Sequence, residues 1–174
     1  MRTFQVLLLM GVLGLMILAC SKDKTVTPVA DANGAFLAGA KGSSKTWKIT
    51  SVTYTINAGS PNSLTLDPCV LDNLYTFTNN SMQDFTQTEG SVKCISSDST
   101  VVESGNWAFT NDGKNIVVEG QWYDDLNQET VFQYIFTAFG EANVTQLTAT
   151  TFVISYSFTN SNGKYIVTTT FTKV

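Results

Sequence analysis

The sequence predicts an all-β fold: an antiparallel up-and-down barrel of about eight or nine strands, with a two-sheet sandwich as the alternative. Three observations predict it. From Thr46 onward the apolar residues recur with a period of two, and they are largely Val, Ile, Tyr, Phe and Trp interleaved with Thr. Turn-forming clusters separate these runs, and short loops join neighbouring strands antiparallel. The same region holds no amphipathic helix, and Phe36 to Ala40 makes at most about one turn. An open sheet of this length leaves two unpaired edges, which closure removes.

The elements follow in chain order. Residues 1–19 read as a targeting segment: Arg2 supplies a positive start, and thirteen residues from Val6 to Leu18 run apolar. That run is too short for an ordinary membrane-spanning helix, which needs about 20 residues. It ends in Ile17-Leu18-Ala19-Cys20, which resembles the lipobox of bacterial lipoproteins. The resemblance implies cleavage before Cys20, lipidation of its sulfur and new amine with palmitate-like chains, and attachment to a membrane. Several acyl chains anchor a protein stably where one holds it marginally. Ser21 stands where many inner-membrane lipoproteins carry Asp, which implies the outer membrane, with the periplasmic or surface face left open. Residues 20–40, rich in small and polar side chains, read as a flexible tether. The barrel domain is expected over 41–174.

Within the domain, Trp47 and Ile49 share one face, after which Val52, Tyr54 and Ile56 share one. The change of phase predicts a bulge near Thr50-Ser51. Asn57 to Leu71, with Pro61 and Pro68, reads as a long irregular segment. Tyr75 and Phe77 mark a second strand, and Asn79-Asn80-Ser81 turns the chain into a third around Met82 to Thr88. Gly105, Trp107 and Phe109 line a strand that ends at Asn111-Asp112-Gly113-Lys114, a hairpin signal because Asp-Gly tolerates positive φ. Ile116 with Val118, Phe132 with Tyr134 and Phe136, and Val144 with Leu147 continue the pattern. Phe152, Ile154, Tyr156 and Phe158 alternate with polar residues up to the turn Asn160-Ser161-Asn162-Gly163, and Tyr165 to Phe171 closes the chain.

Composition excludes several kinds of function. The 174 residues include 10 basic and 14 acidic side chains, for a net charge of -4, with no basic stripe for nucleic acid. No histidine is present, and Arg2 is the only arginine. Triads that depend on histidine, histidine-rich zinc sites and bidentate arginine clamps are therefore ruled out. Asp124-Asp125 beside Trp122-Tyr123 reads as a solvated acidic loop, and with Asn127 it lacks an EF-hand pattern. Neither an enzyme, a metal nor a cofactor is expected. Setting Cys20 aside, Cys69 and Cys94 enclose 24 residues. An even pair in an exported domain points to a disulfide, with two buried thiols as the alternative.

Several of these residues, taken in order, resemble the lipocalin-like domain of Gram-negative bacterial lipoproteins. They are Trp47-Lys48-Ile49, Cys69 ahead of Asp72-Asn73-Leu74-Tyr75-Thr76-Phe77, Cys94, Gly105-Asn106-Trp107 and the Asn111-Asp112-Gly113 turn. The resemblance covers about Lys41 to Val174. Lys45 departs from it where Gly is frequent, and Asn73 where a second Asp is frequent. It implies a small antiparallel barrel with no cofactor and no enzymatic activity.

The candidate ligand-lining residues are Trp47, Phe77, Trp107, Phe109, Phe132, Tyr134, Phe136, Ile154 and Tyr156. An eight-strand barrel is either filled by its side chains or holds one small ligand. Two functions follow. One is an outer-membrane-anchored lipoprotein whose barrel binds a small apolar or amphipathic ligand. The other is a non-catalytic scaffold of the cell envelope with a filled core and an unidentified protein partner.

Overall fold

A closed ring of eight antiparallel strands is the core of the molecule. The computed structural model describes residues 29–94, 96, 99–124, 129–134, 136 and 140–174, with the backbone alone described at 122–124 and 129–134. The strands are β1 (Ser44–Ile56), β2 (Asn62–Leu64), β3 (Leu74–Thr78), β4 (Asp84–Thr88), β5 (Val101–Phe109), β6 (Asn115–Asp124), β7 (Glu129–Tyr134), β8 (Glu141–Leu147), β9 (Thr151–Asn160) and β10 (Gly163–Lys173). Among the described residues two helices accompany them, α1 (Val29–Ala38) and α2 (Pro68–Leu71). The ring runs β1-β3-β4-β5-β6-β8-β9-β10 and closes where β10 pairs with β1. β2 adds to β1, and β7 adds to β6. This is the predicted all-β barrel.

Closure depends on the bulge that the sequence pattern predicts. The β1–β10 register shifts between Ile49 and Ser51. One extra residue there returns Val52 and Tyr54 to the face of Trp47 and Ile49, and it sharpens the bend of a long strand around the ring. The two predicted hairpin turns also form. Asp112 accepts hydrogen bonds from the Thr110 hydroxyl at 2.8 Å and the Lys114 amide at 3.0 Å. Asn160 pairs with Gly163 across a two-residue turn.

Helix α1 is longer than the single turn expected, and it belongs to the packed structure rather than to a tether. It crosses one end of the barrel, touching β1, β3, β5 and β8. Leu37 and Ala38 are fully buried. Gly34 lies against Trp107, where an added Cβ would sit 3.3 Å from the indole. The C-terminal carbonyls of the helix, which lack partners within it, are met by the barrel. Trp47 Nε1 donates to Leu37 O at 2.8 Å, and Lys45 Nζ donates to Phe36 O at 2.6 Å. Gly39 takes the left-handed conformation (φ 93°) that ends the helix, and Asn79 Nδ2 donates to its carbonyl.

Three further expectations change. The segment Asn57 to Leu71 contains β2, which pairs with Val52 to Tyr54, and also α2. Phe132, Tyr134 and Phe136 do not form one strand: β7 ends at Tyr134 and pairs only with β6 among the described strands. Trp122, Tyr123 and Asp124 lie in β6 rather than in a loop, while Asp125 and Asn127 fall outside the described residues. Residues 1–28, with the targeting segment and Cys20, also fall outside them.

Candidate site at the barrel mouth

The end covered by α1 is filled. Trp47, Phe77, Phe85, Trp107, Phe152, Ile154 and Phe171 are each no more than 2% exposed. Their rings pack edge-on or stacked, with Phe77 5.3 Å from Phe85 and 6.2 Å from both Trp107 and Phe152. Phe136 rests on this cluster, 5.1 Å from Phe171 and 5.9 Å from Tyr75. The opposite end carries the β4–β5 loop, the β9–β10 turn and the segment containing α2, and it has two distinct features.

The first is a row of rings. β9 pairs with β10 without a register shift, so Tyr156 and Phe158 share the inward face of Phe152 and Ile154. Pairing of β8 with β9 stops at Ser155, and pairing of β3 with β1 stops at Lys48. Beyond those points β1, β10 and β9 continue as a three-stranded apron edged by β2. On its inward face Tyr54 lies 6.3 Å from Tyr165, Phe158 stacks on Tyr165 at 5.0 Å with planes 5° apart, and Tyr156 follows at 6.2 Å from Phe158. All four rings are half-buried. Partial burial pushes the Tyr156 hydroxyl pKa up.

The second is a polar patch on the facing strands. Tyr75 pairs with Gln87, and Gln87 pairs with Glu103. Tyr75 shares the face of Phe77, Gln87 that of Phe85, and Glu103 that of Trp107, so all three point inward one level above the aromatic core. Glu103 is 6% exposed, and loss of water raises its carboxyl pKa. The Tyr75 hydroxyl is pushed up to about 12, first by burial and then by the charge of Glu103.

That shift predicts an alkaline transition. The unfolded chain ionises tyrosine near pH 10. Tyr75 therefore contributes its full stability below about pH 10 and loses it as the pH rises through about 12. Phenolate absorbance of Tyr75 in the folded protein is expected to appear only as the pH approaches about 12, later than that of exposed tyrosines. In Tyr75→Phe this component should be missing, and its persistence would contradict the assignment.

The mouth is braced at its rim. Cys69 and Cys94 form the expected disulfide, with Cα atoms 5.1 Å apart, and it ties α2 to the β4–β5 loop. Beside it Asp72 accepts from the Val92 amide at 2.7 Å and the Ser91 hydroxyl at 3.0 Å, and pairs with Lys48 at 3.3 Å. The Val92 amide first, with Ser91 and Lys48 adding to it, holds the Asp72 carboxyl below the usual range.

The candidate lining residues thus divide into groups. Trp47, Phe77, Trp107 and Ile154 are packed into the core, with Phe109 and Phe136 partly buried against it. Tyr156 lies in the half-buried row. The side chains of Phe132 and Tyr134 fall outside the description. The sequence pattern offers Phe158 as an interior ring, but it assigns Glu103 no role and marks Tyr54 and Tyr165 only as strand residues. Alternation was the available signal, since Glu103-Ser104-Gly105-Asn106-Trp107 already sets Glu103 on the tryptophan face. Among the described residues no three His, Cys, Asp or Glu side chains gather as a metal site. Compared with protein-family models and with curated proteins, the chain matches none.

Proposed function

We propose that this chain is a lipid-anchored protein of the bacterial outer membrane whose barrel mouth captures a small apolar or amphipathic molecule. One observation carries the capture reading: the row Tyr54, Tyr165, Phe158 and Tyr156 lies on the inward face of the apron, half-buried, beyond the filled core. Ligand sites combine apolar and aromatic walls with a few polar groups, and here the phenol hydroxyls and the Glu103 patch supply the polar part. The anchoring reading rests on Ile17-Leu18-Ala19-Cys20. The closed barrel accords with the lipocalin-like resemblance. The packed ring cluster at the α1 end favours the second reading, a non-catalytic envelope scaffold.

Two variants test the two parts. Cys20→Ser is expected to leave the membrane fraction, and retention there would overturn the anchor. The released protein is then titrated with a fatty acid, a sterol and a haem-like probe. At least one is expected to bind saturably, one per chain, and to bind about ten-fold more weakly to Tyr165→Ala at unchanged melting temperature. Binding of none would overturn capture and favour the scaffold.

A further inference from the structure

The polar patch at the mouth extends one level beyond Gln87, and there it presents two buried hydrogen-bond acceptors that no donor among the described residues meets. Leu74 pairs with Thr88. Two residues further out, a Cβ on Gly90 would collide with Asp72, lying 2.4 Å from its carbonyl oxygen. The β3–β4 register therefore continues past its last ladder pair and sets Asn73 opposite Glu89. Asn73 shares the face of Tyr75 and Phe77, and Glu89 that of Gln87 and Phe85, so both belong to the inward face. Directly opposed side chains on one face have Cβ atoms about 4.5–5.5 Å apart. Asn73 is 7% exposed and Glu89 8%. Asn73 Oδ1 and Glu89 Oε2 are buried without a hydrogen-bond partner.

Leaving a buried acceptor unmet is costly, more so for a charged group. Both atoms call for a donor, and the carboxyl group of Glu89 favours a positively charged one. Among the described residues, Lys48 on this rim is paired with Asp72. We propose that the captured molecule carries an amine, and that its ammonium group donates to Glu89 and Asn73 while its apolar body lies at the mouth. This inference rests on the capture reading and specifies the head group of the ligand. An ammonium supplies both the missing donors and the missing charge, and charge-assisted hydrogen bonds are about twice as strong as neutral ones.

The experiment uses three probes of one chain length, dodecylammonium, dodecanol and dodecanoate, titrated against the Cys20→Ser protein. Dodecylammonium is expected to bind about ten-fold more tightly than dodecanol, and dodecanoate more weakly than either. Glu89→Gln should erase the preference by weakening dodecylammonium binding about ten-fold. Asn73→Asp, which adds a carboxylate of the same shape, should increase the preference, so the inference stays testable if the first variant folds poorly. Equal binding of all three probes would overturn the amine assignment, leaving the acceptors to water, while the capture reading stands. A preference that survives Glu89→Gln would overturn the role of Glu89. If no probe binds, the capture reading fails as well.

Discussion

Phe77→Ala is expected to cost about 3–5 kcal/mol of stability, the range for truncating a fully buried phenylalanine that the surroundings cannot refill. Phe77 is 0% exposed, and its ring meets Phe85 on the neighbouring strand, Trp107 on β5, Phe152 across the barrel and Phe136 above. These partners come from separate parts of the wall, so no single movement closes the cavity. The loss should appear in urea unfolding as a lower midpoint with an unchanged slope. A cost below about 1 kcal/mol would mean that the α1 end is loosely packed.

Removing the Cys69–Cys94 bridge ranks beside it. The bridge spans a separation of 25 residues, and a loop of that size contributes about 3–4 kcal/mol in the chain-entropy treatment. Cys69→Ala/Cys94→Ala should show this loss by equilibrium unfolding, whereas equal midpoints for the oxidised protein and the variant would contradict it. The bridge has a local consequence too. It holds the β4–β5 loop where the Ser91 hydroxyl and Val92 amide reach Asp72. Without it the rim beyond the Leu74–Thr88 pair, where Asn73 and Glu89 lie, is expected to fray first, because only backbone pairing and the Asp72 contacts then hold it.

Much of the barrel was legible because its signals are local. The phase change from Trp47-Ile49 to Val52-Tyr54 marks a bulge before any partner strand is known. Asp112-Gly113 and Asn162-Gly163 specify turns by their own backbone preferences. Helix α1 was hidden because what stabilises it is tertiary. Val29 to Ala38 is made mostly of small residues, and Gly34 at its centre reads as a breaker. The reason for that glycine is the face of Trp107, 73 residues further along the chain. β2 is three residues long, and only its pairing with β1 identifies it.

The site was legible in part for the same reason. Aromatic residues announced an inward face, but alternation alone does not say where the filled core stops and the half-buried row begins. That boundary is set by where β8 and β3 cease to pair, a property of register between strands. Glu89 and Glu103 resemble ordinary surface carboxylates in composition. Alternation places Glu103 on the face of Trp107, but the burial of Glu89 emerges only when the β3–β4 register, whose last pair is Leu74 with Thr88, is extended outward.

The most direct measurement of ligand capture is mass spectrometry of small molecules extracted from the full-length protein purified from membranes, beside Tyr165→Ala treated identically. The account predicts an amphipathic species near one equivalent per chain in the unmodified protein and strongly depleted in the variant. The same bulk membrane lipids in equal amounts from both proteins would contradict it.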